Sequence, residues 1–110
     1  MSFYRLSDPS RAAKTTFFDR NELHQLLSLY SRRVAAGEWR DYAIDHRDGT
    51  AIFSVFRHTL DSPAFSITKR LQKNGHGGAY EVHDGRQRVK RSSSLTEALS
   101  VFEQPLRVVS

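Results

Sequence analysis

There is no cysteine among the 110 residues. That excludes disulfides, thiolate-bound zinc or iron–sulfur clusters and a thiol nucleophile. No apolar run approaches the ~18–20 residues a membrane helix needs. The opening Met1-Ser2-Phe3-Tyr4-Arg5 lacks the apolar stretch of a secretion signal. Acidic residues are in deficit, with 12 Asp+Glu against 17 Lys+Arg, for a formal charge of +5. These absences point to a soluble, cytoplasmic protein with no membrane association. A chain this long has room for one core, which should bury roughly 60–65% of its unfolded surface.

Residues 1–16 carry little to bury and include Asp8-Pro9-Ser10, so they read as a flexible tail. Order is expected from residue 17. Asp19 is a good N-cap, Glu22 completes a capping box, and Phe18 with Leu23 forms a hydrophobic staple. Leu23, Leu26, Leu27, Tyr30 and Val34 then mark one helical stripe, closed by Gly37.

From Glu38 the apolar period changes to two. Runs 39–46 and 51–58 flank Arg47-Asp48-Gly49-Thr50, a hairpin signal. A two- or four-residue loop pairs Tyr42 with Val55 and Ile44 with Phe53 on the natural core face. The other face then carries Trp39 beside His58, Asp41 beside Phe56 and Asp45 beside Ile52. A third strand follows Ser62-Pro63, with Phe65, Ile67 and Leu71 alternating against polar residues. Beyond a flexible loop at residues 73–78, a second hairpin turns at Asp84-Gly85. Centred there, it pairs Tyr80 with Val89, Val82 with Gln87 and Glu81 with Arg88. Ser94 and Glu97 open a short helix with an apolar stripe of Leu95, Ala98, Leu99 and Phe102, stopped by Pro105. The expected fold is α+β: one antiparallel sheet of about five strands, flanked by an N-terminal and a short C-terminal helix. The domain spans 17–104, and 105–110 form a second tail.

Phe18-Asp19-Arg20, Glu22-Leu23, Leu29-Tyr30, the run Val34 to Asp45 (VAAGEWRDYAID) and Phe53-Ser54-Val55-Phe56-Arg57 resemble the signature of a small alphaproteobacterial family, domain of unknown function 2794. The resemblance extends from residue 17 to 102 and is strongest up to Arg57. It implies a cytoplasmic bacterial setting and supplies no catalytic residue, cofactor or partner.

The chemistry-bearing residues form no catalytic motif. His24, His46, His58, His76 and His83 show no metal-ligand spacing. Asp41 and Asp45, four apart on a strand, stand about 13 Å from each other, too far for a shared proton. Ser92-Ser93-Ser94 is explained by helix capping, and no Gly-x-Ser-x-Gly elbow exists. Gly75-His76-Gly77-Gly78 joins two strands, so it lacks the helical setting of an RNA-binding Gly-x-x-Gly clamp or a phosphate loop. The expectation is a protein without enzymatic activity, cofactor or metal.

Two candidate surfaces remain. Trp39, Ile52 and Phe56, rimmed by Arg57, lie together on the second face of the first hairpin, where burial by a helix competes with a role as a protein interface or self-association patch. Between Lys69 and Arg91 the excess of basic over acidic residues equals the whole net charge of the chain. In the register centred on Asp84-Gly85, Arg86, Arg88 and Lys90 project from one face, with Arg91 adjoining, as a polyanion-binding stripe would. The leading expectation is a small regulatory or adaptor module acting through a protein interface. The alternative is nucleic-acid binding through the last hairpin.

Overall fold

The computed structural model describes residues 16–58, 62–71 and 78–103. Helix α1 (Arg20–Ala35) is followed by strands β1 (Asp41–Arg47), β2 (Thr50–Phe56), β3 (Phe65–Leu71), β4 (Gly78–Asp84) and β5 (Gln87–Ser92). A short helix α2 (Leu95–Leu99) then runs into a 3₁₀ turn, Ser100–Glu103. The strands form one antiparallel sheet in chain order, β1-β2-β3-β4-β5. This is the expected α+β architecture.

Helix α1 begins as its sequence dictates. The Asp19 carboxylate accepts from the Glu22 amide and the Glu22 carboxylate from the Asp19 amide, each at 2.8 Å. At its other end Gly37, with φ +78°, closes a Schellman motif. The Glu38 amide donates to the Arg33 carbonyl and the Gly37 amide to Val34. Ser94 caps α2 by accepting from the Glu97 amide.

Both helices lie on one side of the sheet. Leu26 and Leu29 of α1 and Leu95, Ala98 and Leu99 of α2 share a core with Ala51, Phe53, Val55, Ile67, Tyr80 and Val82. Among the described residues nothing packs over the opposite side, where Ile52, Ser54 and Phe56 of β2 are half-buried and the β1 residues are exposed. A buried polar knot ties α1 to the sheet. The Glu22 carboxylate accepts from Lys69 Nζ at 2.7 Å and from the Tyr80 hydroxyl, and Lys69 also donates to the Phe17 carbonyl at 2.8 Å.

The first hairpin has the expected register, with Tyr42 opposite Val55 and Ile44 opposite Phe53. Asp48 and Gly49 both take positive φ, 52° and 73°, as a two-residue type I′ turn requires. Trp39 departs from its expected place. It precedes β1 and is buried against the helix-bearing side, 5% exposed, instead of standing beside His58 on the uncovered face.

The second hairpin is paired differently from expectation. Asp84 faces Gln87, so Gly85 is the first central residue of the turn rather than the second. Its φ of +63°, with Arg86 not positive, is the pattern of a Gly-x type II′ turn. A bulge follows: His83 faces Arg88, but Val82 faces Lys90, Glu81 faces Arg91 and Tyr80 faces Ser92, leaving Val89 as the extra residue.

The tail expected at 1–16 and the loop at 73–78 fall almost wholly outside the described residues, as do residues 104–110. Thr16, at the tail's end, is buried, and Gly78 begins β4.

Candidate functional site

At the end of the sheet where α1 hands over to β1, a cavity of about 490 Å³ opens to solvent. Trp39, Phe65 and Phe102 meet there as a cluster of rings. Trp39 stands perpendicular to Phe102 at 5.5 Å, and Phe65 stands edge-on to Phe102 at 5.0 Å. Val89 and Val101 complete the apolar lining, and Arg33, Glu38, Arg57 and Asp84 supply the polar groups.

Each wall has a local cause. Phe65 starts β3 opposite Val55, which puts it on the helix-bearing side. Phe102 is delivered by the 3₁₀ turn that extends α2. Val89 is freed from the ladder by the β5 bulge and is 41% exposed. Bulges re-aim side chains in this way beside functional sites. The Arg33 guanidinium lies 5.9 Å from the Trp39 ring and 5.8 Å from Phe102. Its hydrogens are taken up by Glu38 at 2.5 Å and by the Phe102 carbonyl. Arg33 therefore braces the aromatic cluster. Arg57 differs: no carboxylate among the described residues lies within ion-pairing distance of it.

The four residues expected to make one apolar patch thus divide. Trp39 and Arg57 meet at the cavity. Ile52 and Phe56 stay on the uncovered face, separated along β2 by Ser54. Trp39 is a floor rather than a projecting anchor.

The expected cationic stripe divides as well. Arg86 sits in the turn, while Arg88 and Arg91 share the uncovered face with Glu81, their respective distances to its carboxylate being 3.4 and 3.8 Å. His83 lies 3.5 Å from the same carboxylate. Lys90 points to the other side, 4.0 Å from Glu97 of α2. The cause is the bulge, which reverses the facing of every β5 residue beyond Val89 relative to an unbroken ladder.

Asp41 and Asp45 do not converge on a site. Each carboxylate folds back onto the next amide, Tyr42 and His46 respectively, at 2.8 Å. The His46 amide, and then Arg47 at 3.0 Å, hold the Asp45 carboxyl below the usual carboxylate range. Among the described residues no group of three or more His, Asp or Glu side chains could hold a metal, and no helix is long and apolar enough to cross a membrane.

A family model described as "Protein of unknown function (DUF2794)" matches residues 16–99. The chain belongs to this family. No curated protein and no solved structure matches it. In this DUF2794 chain the matched span runs from Thr16, four residues ahead of α1, to the last residue of α2. It includes Arg33, Trp39, Arg57, Phe65 and Val89 of the cavity and stops short of Val101 and Phe102.

Sequence reasoning did not single out Phe65, Phe102, Val89, Val101 or Arg33 as site residues. Phe65 and Phe102 carry the ordinary signature of core positions, and only the fold turns their edges toward a common opening. Val89 had a usable signal. Gly85 followed by Arg86 fits a Gly-x type II′ turn, and pairing outward from that turn moves the register.

Proposed function

We propose that this protein is a non-enzymatic binding module that receives an apolar side chain of a protein partner in the Trp39–Phe65–Phe102 cavity. The observation that carries the reading is three aromatic rings converging on one open cavity of about 490 Å³, within the size range of ligand sites. Arg57 at its mouth lacks an ion-pair partner among the described residues, so a carboxylate beside the anchoring side chain would find a complementary charge there. Glu38 and Asp84 also line the cavity, which disfavours a multiply charged phosphate. The favoured occupant is a segment with a large aromatic or aliphatic residue next to an acidic one. This is the adaptor role read from the sequence, with Trp39 serving as socket rather than plug.

The nucleic-acid alternative draws less support. Glu81 offsets the two arginines that share the uncovered face, and Lys90 lies across the sheet from them.

Trp39 is the sole tryptophan in the chain, so its fluorescence reports on the cavity directly. A displayed peptide library screened on the full chain should enrich acidic–aromatic or acidic–aliphatic segments whose synthetic versions shift Trp39 emission. Val89→Arg, at an exposed position on the cavity wall, should abolish that response, while Arg88→Gln with Arg91→Gln should leave it intact. No enrichment, together with a low-salt shift of RNA or DNA that the Arg88/Arg91 variant abolishes, would overturn the reading in favour of the alternative.

A further inference from the structure

Strand β1 is an edge strand, and all seven of its residues are exposed. Tyr42, Ile44 and His46 lie on its helix-bearing face, opposite Val55, Phe53 and Ala51. The helices leave Tyr42 and Ile44 each 39% exposed. Phe17, 59% exposed, packs its ring 4.6 Å from His46, so the strip runs the length of an edge that no other described strand pairs with.

The backbone of this edge is partly occupied. In a two-residue hairpin Arg47 and Thr50 form a hydrogen-bonded pair, so Asp41, Ala43 and Asp45 also bond toward β2. The amides of Tyr42, Ile44 and His46 then face outward. Two of them, Tyr42 and His46, are capped by Asp41 and Asp45. Such caps shield an edge from indiscriminate pairing.

We infer that β1 is the docking edge for a second copy of this chain, paired antiparallel about a two-fold axis at Ile44. The charge pattern of the strand selects that register. A two-fold perpendicular to the sheet keeps both faces, so only residues on the same face can stand opposite each other. Centred on Ala43, the pairing sets Asp41 against Asp45 twice. Centred on Asp45, it sets that carboxylate against its own copy. Like charges directly opposite are destabilising. Centred on Ile44, all seven residues pair. Asp41 then faces Arg47 of the second copy twice, Tyr42 faces His46 twice, and Ile44 meets Ile44. Registers centred farther out pair fewer residues.

Pairing exchanges the two aspartate caps for ladder bonds from the same amides and gives the Ile44 amide a partner. Asp41 is released toward Arg47 of the second copy, and Asp45 keeps its own Arg47 at 3.0 Å. The assembly closes at two copies. Its outer edges are then both β5, which carries a bulge and the sequence Gln-Arg-Val-Lys-Arg-Ser, features that resist further strand addition. The result is one continuous sheet with a cavity of the kind formed by Trp39, Phe65 and Phe102 in each half.

The native absence of cysteine makes the test direct. Single variants Ala43→Cys, Ile44→Cys and Asp45→Cys of the full chain are oxidised at matched concentration, and sedimentation equilibrium is measured on the unmodified chain. The expected result is a concentration-dependent dimer. Ile44→Cys should cross-link at least tenfold faster than the other two. In sedimentation, Asp41→Arg should weaken the dimer, and Asp41→Arg combined with Arg47→Asp should restore it. Circular dichroism on each variant confirms that the fold is retained. A monomer at every concentration, equal cross-linking at the three positions, faster cross-linking at 43 or 45, or no recovery on charge reversal would each overturn the proposal.

Discussion

Replacing Lys69 with methionine tests whether the knot beneath α1 is a principal fastening of helix to sheet. The side chains of Lys69 and Glu22 are only 12% and 9% exposed, and their ion pair spans 2.7 Å. Methionine keeps most of the aliphatic stem but removes both ammonium hydrogen bonds. The Phe17 carbonyl loses the bond at 2.8 Å, and the Glu22 carboxylate is left with the Asp19 amide and the Tyr80 hydroxyl. Breaking a buried pair by deleting one partner costs about 3–5 kcal/mol, because the other charge stays buried. Two surviving bonds to Glu22 place the loss at the lower end, about 3 kcal/mol. At roughly 4–8 °C per kcal/mol for a domain of this size, the melting temperature should fall by about 12–24 °C. The assay is urea and thermal unfolding followed by circular dichroism, with Arg40→Met, at an exposed position ahead of β1 whose side chain makes no hydrogen bond or ion pair among the described residues, as control at within about 0.5 kcal/mol of the parent. Adding Glu22→Gln to Lys69→Met should recover at least about 1 kcal/mol relative to the sum of the single losses, since the stranded charge is gone. Lys69→Met indistinguishable from Arg40→Met, or strict additivity in the double variant, would refute the reasoning.

Three further outcomes are expected. Asp19→Ala should cost about 0.5–2 kcal/mol in unfolding free energy by removing the N-cap acceptor, and an unchanged urea midpoint would contradict the cap. Gly85→Ala should cost about 1–2 kcal/mol through backbone strain alone, because φ is +63° and an added Cβ meets nothing within 4 Å; thermal unfolding of the variant reads this out. Burial, then the bond to Glu22 and its charge, push the Tyr80 phenol well above its usual range. The folded state therefore holds this proton more tightly than the unfolded chain. Its contribution is complete below the unfolded value near 10 and declines as pH rises through the folded one. Between them stability should fall by about 1.4 kcal/mol per pH unit. Tyr80→Phe should reduce that slope in urea unfolding above pH 10, leaving the smaller share from Tyr30, also raised by burial and by Asp41.

Where a local rule admits one reading, sequence and structure agree. The cap and capping box of α1, the type I′ turn with its register, the cap of α2 and the order of elements all depend on groups a few residues apart. Side-chain period and turn chemistry suffice for those. The second hairpin shows how narrow the margin is. Moving Gly85 from the second to the first turn position and adding one bulged residue changed every β5 partner and separated Lys90 from Arg88. Alternation then still gives strands, but it no longer says which side each residue faces.

What the sequence determined by itself is the set of elements, their polarity and the first register, because nearest-neighbour geometry dictates them. Tertiary structure alone decided that both helices share one side of the sheet and that Trp39 turns inward. It also decided that Phe65, Val89, Val101 and Phe102, drawn from β3, β5 and the 3₁₀ turn, meet around one cavity. Those outcomes depend on contacts between residues far apart in the chain, where the apolar pattern requires burial but does not name the partner.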